Sequence, residues 1–282
     1  MPGRLGGADI PFDQASTAWQ EYLIEAWALG SFMISIGLFS VLLEASASPL
    51  HRWIQDADLR RLIFAVALGG TAIALIYSPW GQRSGAHMNP AVTLSFLRLG
   101  KITSCHAAGY VAAQTLGAIF GVYLVWGACG SLFSAPPVSY DTTVPGSAGV
   151  LRAFIAEFCM SAALMLTLLA SASRPRLAPY TGILAGALIA AFILLEAPIS
   201  GMSINPARSL ASAIPAKQWA SLWLYIFAPI LGMQLAGVLF AVLAPFVPCA
   251  KLCHSTAQRC IHCGYTPTAP LRNHINHTGV ST

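Results

Sequence analysis

Two stretches of this chain read alike. Ser84-Gly85-Ala86-His87-Met88-Asn89-Pro90-Ala91 and Ser200-Gly201-Met202-Ser203-Ile204-Asn205-Pro206-Ala207 share Ser-Gly, a three-residue gap and Asn-Pro-Ala. Leu94 and Leu210 extend the match. Asn is a strong helix N-cap. Pro suits the first helical position, where its missing N–H would be unpaired anyway. Each copy therefore predicts a helix start, over 90–99 in the first and over 206–214, before Pro215, in the second. Ten helical residues rise about 15 Å, roughly half of a bilayer core. A single Asn-Pro is only a turn signal. Two copies with matched flanks imply a duplicated unit.

What surrounds the copies is apolar. Hydrophobic residues make up 56% of the 282 and charged residues 9%, against about a quarter charged in an ordinary soluble domain. So few charges cannot coat a water-facing surface, which leaves lipid as the solvent. Segments 19–43, 62–77, 107–128, 150–172, 180–195 and 219–247 are apolar enough to span or nearly span a bilayer. The first begins near Trp19 and is too long for a secretory signal. The polar, Gly/Pro/Ser-containing stretch 130–149 divides the segments three and three. An odd number of crossings per half inverts the second repeat relative to the first. The expected fold is an all-α membrane protein with six transmembrane helices, two re-entrant half-helices and an inverted 3+3 repeat.

The expected organisation is an N-terminal tail over 1–17, a channel domain over 18–248 and a flexible tail over 249–282. Within the domain, repeat 1 runs over about 18–129 and repeat 2 over about 149–248. With both termini cytoplasmic, nine of the 15 Lys and Arg residues fall inside and six outside, a weak agreement with the positive-inside rule. The net charge of +5 is spread out and offers no basic stripe for nucleic acid.

Half-helices entering from opposite faces would meet N-terminus to N-terminus near the midplane. Each N-terminus carries about half a positive charge, so the pair repels cations. The Asn89 and Asn205 amides can donate to a passing oxygen. Irregular backbone at that depth is tolerated only where it is buried or lines a wet cavity. Arg208 sits beside the second motif. An intramembrane Arg is costly unless paired or wet, so it is read as a lining residue and a second cation barrier. A proton-coupled transporter would want a carboxylate at this centre, and an enzyme a nucleophile–base pair or metal ligands. Neither is evident, and the expectation is a passive path rather than an enzyme.

These residues resemble the aquaporin and glycerol-facilitator family of major intrinsic proteins. The resemblance covers about 19–247 and includes the run Tyr110-Val111-Ala112-Ala113-Gln114-Thr115-Leu116-Gly117. It implies one pore per subunit, a homotetramer in the bilayer, no cofactor, and motifs built from Asn89, Pro90, Ala91, Asn205, Pro206 and Ala207. Family members carry a four-residue constriction. Counting from the motifs places Gly69, Ile193, Met202 and Arg208 there. Gly and Ile in place of the Phe and His of water-selective members imply a wider opening, for water with glycerol, urea or metalloid hydroxides such as arsenite or boric acid. Ser209 after the Arg is instead the water-type residue. The alternative is a water-selective pore narrowed by Met202, and a further one a non-conducting junction protein on the same fold. Intramembrane carboxylates such as Glu25 and Glu157 can serve a proton relay, but the resemblance implies that they accept hydrogen bonds from the loops before the half-helices. His87 is read as orienting its loop, with a pH gate as the second reading, and Gln114 as bonding a neighbouring helix or loop. A plasma (inner cell) membrane location is expected.

The tail contains Cys249, Cys253, His254, Cys260, His262 and Cys263. A reduced, unstructured tail is the expectation. The second reading is that Cys253, His254, Cys260 and Cys263 ligate Zn²⁺, since four N/S donors suit that ion.

Overall fold

In the computed structural model, residues 18–243, 249–254, 257 and 259–265 are described. The expected N-terminal tail, 1–17, lies outside them. The described residues form helices and loops without strands. Six helices are long and apolar enough to cross a membrane: α1 (Trp19–Glu44), α3 (Ala57–Tyr77), α6 (Ser104–Cys129), α8 (Val150–Ala172), α9 (Thr181–Ser200) and α11 (Leu222–Leu243). Two shorter helices, α5 (Pro90–Arg98) and α10 (Pro206–Ala216), follow the Asn-Pro-Ala motifs. Three small ones, α2 (Pro49–Trp53), α4 (Pro79–Ser84) and α7 (Ser131–Ser134), sit in connections. The chain is an integral, multi-pass membrane protein.

The burial pattern is inverted relative to a soluble protein. Leu23, Phe120, Leu151, Leu195 and Phe227 are exposed, while Glu25, Glu157, Gln114, His87 and Arg208 are buried. Without a hydrophobic force between helices in lipid, close packing has to hold them. Small residues provide it. A Cβ at Gly30 in α1 would stand 2.8 Å from the Gly117 carbonyl of α6. One at Gly69 in α3 would stand 2.6 Å from the Gly186 carbonyl of α9.

The pairings respect the repeat. In the first half α1 packs on α6 and α3; in the second, α8 packs on α11 and α9. Helices α3 and α9 meet across the pseudo-symmetry axis. Each half-helix is shared: α5 lies on α6 and on α11 of the other half, and α10 on α11 and on α6.

Spans α3 and α9 are longer than their apolar cores predict. Helix α3 starts at Ala57, because the Asp56 side chain accepts from the Leu59 amide and caps it. Helix α9 runs through Pro198 to Ser200 and closes on Gly201 at φ +74°. Of the tail expected to be flexible over 249–282, residues 255–256, 258 and 266–282 lie outside the described residues. Its described residues fold back under the helix ends, with Cys249, Lys251, Leu252 and Cys260 buried.

Candidate functional site

The motifs fold as their residue types dictate. In each copy the Ser-Gly pair ends a helix, α4 at Ser84-Gly85 and α9 at Ser200-Gly201, with the Gly left-handed. The chain then zigzags to the Asn. Ala86 and Met88 in the first copy, and Met202 and Ile204 in the second, have φ between +44° and +54°. Left-handed backbone is costly for such residues, and bulky ones hold it only where surroundings impose it.

A buried carboxylate in each half does so. Glu25 of α1 accepts from Ser84 Oγ (2.7 Å), the His87 amide (3.1 Å), the Met88 amide (2.8 Å) and Gln114 Nε2 (2.8 Å). Glu157 of α8 accepts from Ser200 Oγ (2.9 Å), the Ser203 amide (2.7 Å) and the Ile204 amide (2.6 Å). Tyr110 and Tyr225 each donate to the carbonyl of the motif serine, Ser84 and Ser200 respectively. Loop N–H groups that would be orphaned in an apolar interior thereby find partners.

The loops end at the two Asn residues, which cap their half-helices. Asn89 Oδ1 accepts from the Ala91 amide at 2.9 Å, and Asn205 Oδ1 from Ala207 at 3.1 Å and Arg208 at 3.3 Å. Each amide also reaches across the axis. Asn89 Nδ2 donates to the Ile204 carbonyl and Asn205 Nδ2 to the Met88 carbonyl, both at 2.7 Å. The half-helices therefore meet N-terminus to N-terminus. Pro90, Ala91, Pro206 and Ala207 form their buried first turns.

A cavity of about 320 Å³ runs past this junction. One wall carries Met88, Asn89, Ser203, Ile204, Asn205 and Arg208. The spans contribute mainly apolar side chains, Ile36, Phe64, Leu68, Leu164, Leu168, Ile189 and Ile193 among them, together with Ser40, Glu44 and Arg61. Of the four counted constriction positions, Ile193, Met202 and Arg208 line the cavity. Gly69 does not. It lies against Gly186 and Ala190 in the α3–α9 contact, and α3 presents Phe64 and Leu68 instead. The count of twenty from Asn89 passes through α4, a helical turn between span and loop, and a count is only as good as the length of the connection it crosses.

Arg208 is 7% exposed. It forms an ion pair with Asp141, whose backbone carbonyl also accepts from Nη1 at 2.9 Å. Asp141 Oδ1 accepts from Ser40 Oγ of α1 at 2.9 Å. Asp141 lies in the connection between the halves, and nothing in the sequence marked it. The one available signal was that a buried Arg needs a partner and that 130–149 contains a single acid.

At the opposite end the tail closes on the cavity. Ala250 O accepts from His87 Nε2 at 2.5 Å, the Leu252 amide donates to Gly85 O at 3.2 Å, and Lys251 Nζ donates to Gln82 O at 3.1 Å. Leu252 forms part of the cavity wall. Because Ala250 O can only accept, His87 Nε2 carries the proton, and Nδ1 at 3.0 Å from Thr93 Oγ1 is the acceptor. His262 stacks 6.1 Å from His87. Burial, then the neighbouring His87, lower its pKa well below the imidazole range and keep it neutral.

The tail sulfurs gather differently from the set their sequence order suggested. Cys249 joins His254, Cys260 and Cys263, with all four donor atoms within 4.8 Å of one another. Cys253 instead faces Tyr77 and the Gly182 backbone at the ends of α3 and α9, where the chain bends at Leu252 and Cys253. Hydrogen bonding from the Cys249 thiol, with help from Lys251, lowers the Cys260 pKa below the ordinary thiol value.

Comparison with known proteins agrees with this architecture. Residues 13–240 match the family model described as Major intrinsic protein. The chain is 33% identical to Aquaporin NIP6-1 of Arabidopsis thaliana over 208 residues, 73% of this chain and 66% of that one. It is 36% identical to Aquaporin TIP4-4 of Zea mays over 184 residues, 62% of this chain and 69% of that one. The match to the Arabidopsis relative thus spans just under two thirds of that relative's length. Among solved structures, the aquaglyceroporin from Plasmodium falciparum shares the fold, with a TM-score of 0.63 at 20% identity, covering 81% of this chain and 98% of that one. The paired Asn caps, the two carboxylate clamps and the match over 13–240 place this chain in the major intrinsic protein family.

Proposed function

We propose that the protein is a passive channel for water and small neutral solutes, of the size and polarity of glycerol, urea or metalloid hydroxides, and that it excludes protons and ions. The observation that carries this reading is the cavity past the Asn89–Asn205 junction, lined by the motif loops and by mainly apolar side chains of the spans. A neutral molecule of that size slides along the apolar side chains and exchanges hydrogen bonds with the loops. Each Asn amide uses one N–H on the opposite carbonyl and keeps a second for a permeating oxygen. The paired helix N-termini and Arg208 oppose cations. His87 has both ring nitrogens engaged and does not relay protons. The relatives are named aquaporins and the structural neighbour an aquaglyceroporin, consistent with a channel rather than an enzyme.

One observation favours the narrower, water-selective alternative. Gly69 is absent from the cavity lining while Phe64 and Leu68 of the same helix are in it, and two bulky side chains with Met202 leave less room than the counted Gly would. Stopped-flow light scattering on proteoliposomes separates the two. Glycerol or urea re-swelling faster than in empty liposomes supports the wide reading. Fast osmotic shrinkage without re-swelling transfers the assignment to a water pore. No acceleration of either leaves a non-conducting junction protein.

The same reading places the chain in the plasma membrane, with both termini cytoplasmic, as a homotetramer. Native mass spectrometry in detergent tests the assembly. Protease access to the tail in oriented vesicles tests the topology.

A further inference from the structure

We propose that Cys249, His254, Cys260 and Cys263 bind one Zn²⁺, and that this ion latches the tail in the mouth of the channel. The latch rests on the channel reading above; the metal site stands without it.

The donor set is the first argument. Three sulfurs and one imidazole nitrogen lie within 4.8 Å of one another. A tetrahedral site with Zn–S near 2.3 Å and Zn–N near 2.0 Å has donor–donor edges of about 3.5–3.8 Å. Two edges are already close to that: Cys249 Sγ to Cys260 Sγ is 3.5 Å and His254 Nε2 to Cys263 Sγ is 3.2 Å. Cys249 and Cys260 are buried, while His254 and Cys263 face outward, which leaves a side for an ion to enter.

The second argument is local. The described tail residues form no helix and no strand. Its apolar burial is confined to a few side chains such as Ala250, Leu252 and Cys260. A segment so poor in core needs a staple, and a structural metal supplies its binding free energy as folding free energy.

The third argument is position. The ligand Cys249 is followed directly by Ala250, Lys251 and Leu252. These reach His87, Gln82 and Gly85 in turn, and Leu252 forms part of the cavity wall at that end. Lys251 is 2% exposed there. A ligand that binds only the folded tail stabilises it in proportion to the logarithm of its concentration over Kd. Zinc therefore favours the closed mouth, and its removal frees it.

The test uses the reduced, full-length chain. Cobalt(II), a spectroscopic substitute for zinc, is titrated into detergent-solubilised protein. The expected result is one equivalent bound, with thiolate-to-cobalt charge-transfer absorption and tetrahedral ligand-field bands, both lost on adding zinc. Cys260→Ser and Cys263→Ser lose the spectrum, while Cys253→Ser keeps it. Absence of thiolate absorption, or equal loss in Cys253→Ser, overturns the metal site. Alkylation with mass analysis before titration shows that the thiols are free; a Cys249–Cys260 disulfide in protein purified without reductant, resistant to mild reduction, also overturns it.

The latch is read separately in proteoliposomes. Water flux should rise several-fold when a chelator replaces zinc, and Cys260→Ser should be fast in both. Leu252→Gly should be fast in zinc yet keep the cobalt spectrum, which separates an opened mouth from a lost site. Equal flux with zinc and chelator overturns the latch. If no variant conducts in either condition while the cobalt spectrum is intact, the channel reading fails and the metal site survives.

Discussion

The two repeats solve the same problem with the same parts and then finish differently. In each, a carboxylate, a serine and a tyrosine hold a loop whose alternate residues are left-handed, and an Asn caps the half-helix that follows. What rests on the outer side of the loop is not the same. The second repeat's loop is backed by the connection between the halves: Gly146 N donates to Ile199 O, and Thr143 Oγ1 lies 2.7 Å from Ser209 Oγ. The first repeat's loop is backed by the tail, through Ala250, Leu252 and His262. The shared parts are those that satisfy buried backbone, which no variant of this fold can omit. The unshared parts lie at the two mouths, where chemistry specific to this chain is free to accumulate.

Breaking a carboxylate clamp should have the largest effect. Glu25 satisfies four donors and Glu157 three. Each buried donor left without a partner costs about 1–3 kcal/mol, and Glu25 and Glu157 are fully buried, away from any water in the cavity. Glu25→Ala and Glu157→Ala should both abolish monodisperse protein in fluorescence-detected gel filtration, with Glu25→Ala the more severe. A monodisperse, heat-stable Glu25→Ala protein would contradict the clamp.

The far mouth comes next. Asp141→Ala leaves Arg208, 7% exposed, without its carboxylate. Breaking a buried pair from one side costs about 3–5 kcal/mol, and the 24% exposure of the Asp141 side chain puts this one at the low end, whereas Asp58, whose side chain is 85% exposed in its pair with Arg61, should lose less than about 1 kcal/mol as Asp58→Ala. Thermal unfolding in detergent should therefore fall far more for Asp141→Ala. Equal falls would mean that water in the mouth already screens Arg208.

Much of this architecture was legible in the chain, and what was not has a common cause. Asn89 and Asn205 announce themselves because capping is a local rule read from adjacent residues. The six spans are legible because lipid imposes a length and a polarity. Gly69, Asp141 and Cys249 are settled instead by which helix face or which loop meets a distant partner. Gly69 was assigned by counting across a connection that contains α4. Asp141 is 67 residues from Arg208, and order along the chain, which does not say which way a side chain faces, cannot tell Cys249 from Cys253 as the fourth donor. The Gly69 correction carries its own prediction. Phe64→Ala should raise glycerol re-swelling without altering stability greatly. Gly69→Ala should leave selectivity alone and lower stability by about 1–3 kcal/mol, since its Cβ meets the Gly186 carbonyl. A change of selectivity in Gly69→Ala would return that position to the constriction.

The smallest expected difference tests the comparison most directly. Tyr110 and Tyr225 make the same bond, to Ser84 O at 2.7 Å and Ser200 O at 2.6 Å. Replacing either by Phe removes one donor from a buried carbonyl, a loss of about 1 kcal/mol when nothing else serves that oxygen. Among the described residues, Tyr225 is the one side chain that donates to Ser200 O. Ser84 O has a second, because His262 Nε2 reaches it at 3.2 Å from the tail. Tyr225→Phe should therefore cost the full amount and Tyr110→Phe only part of it. The gap should close when His262→Ala is added, since Tyr110→Phe then leaves its carbonyl as bare as the other. A double-mutant cycle on Tyr110 and His262, read by thermal unfolding of the full chain, measures that coupling. A coupling of zero would mean that the tail, although it touches the first repeat, takes no share in holding its loop.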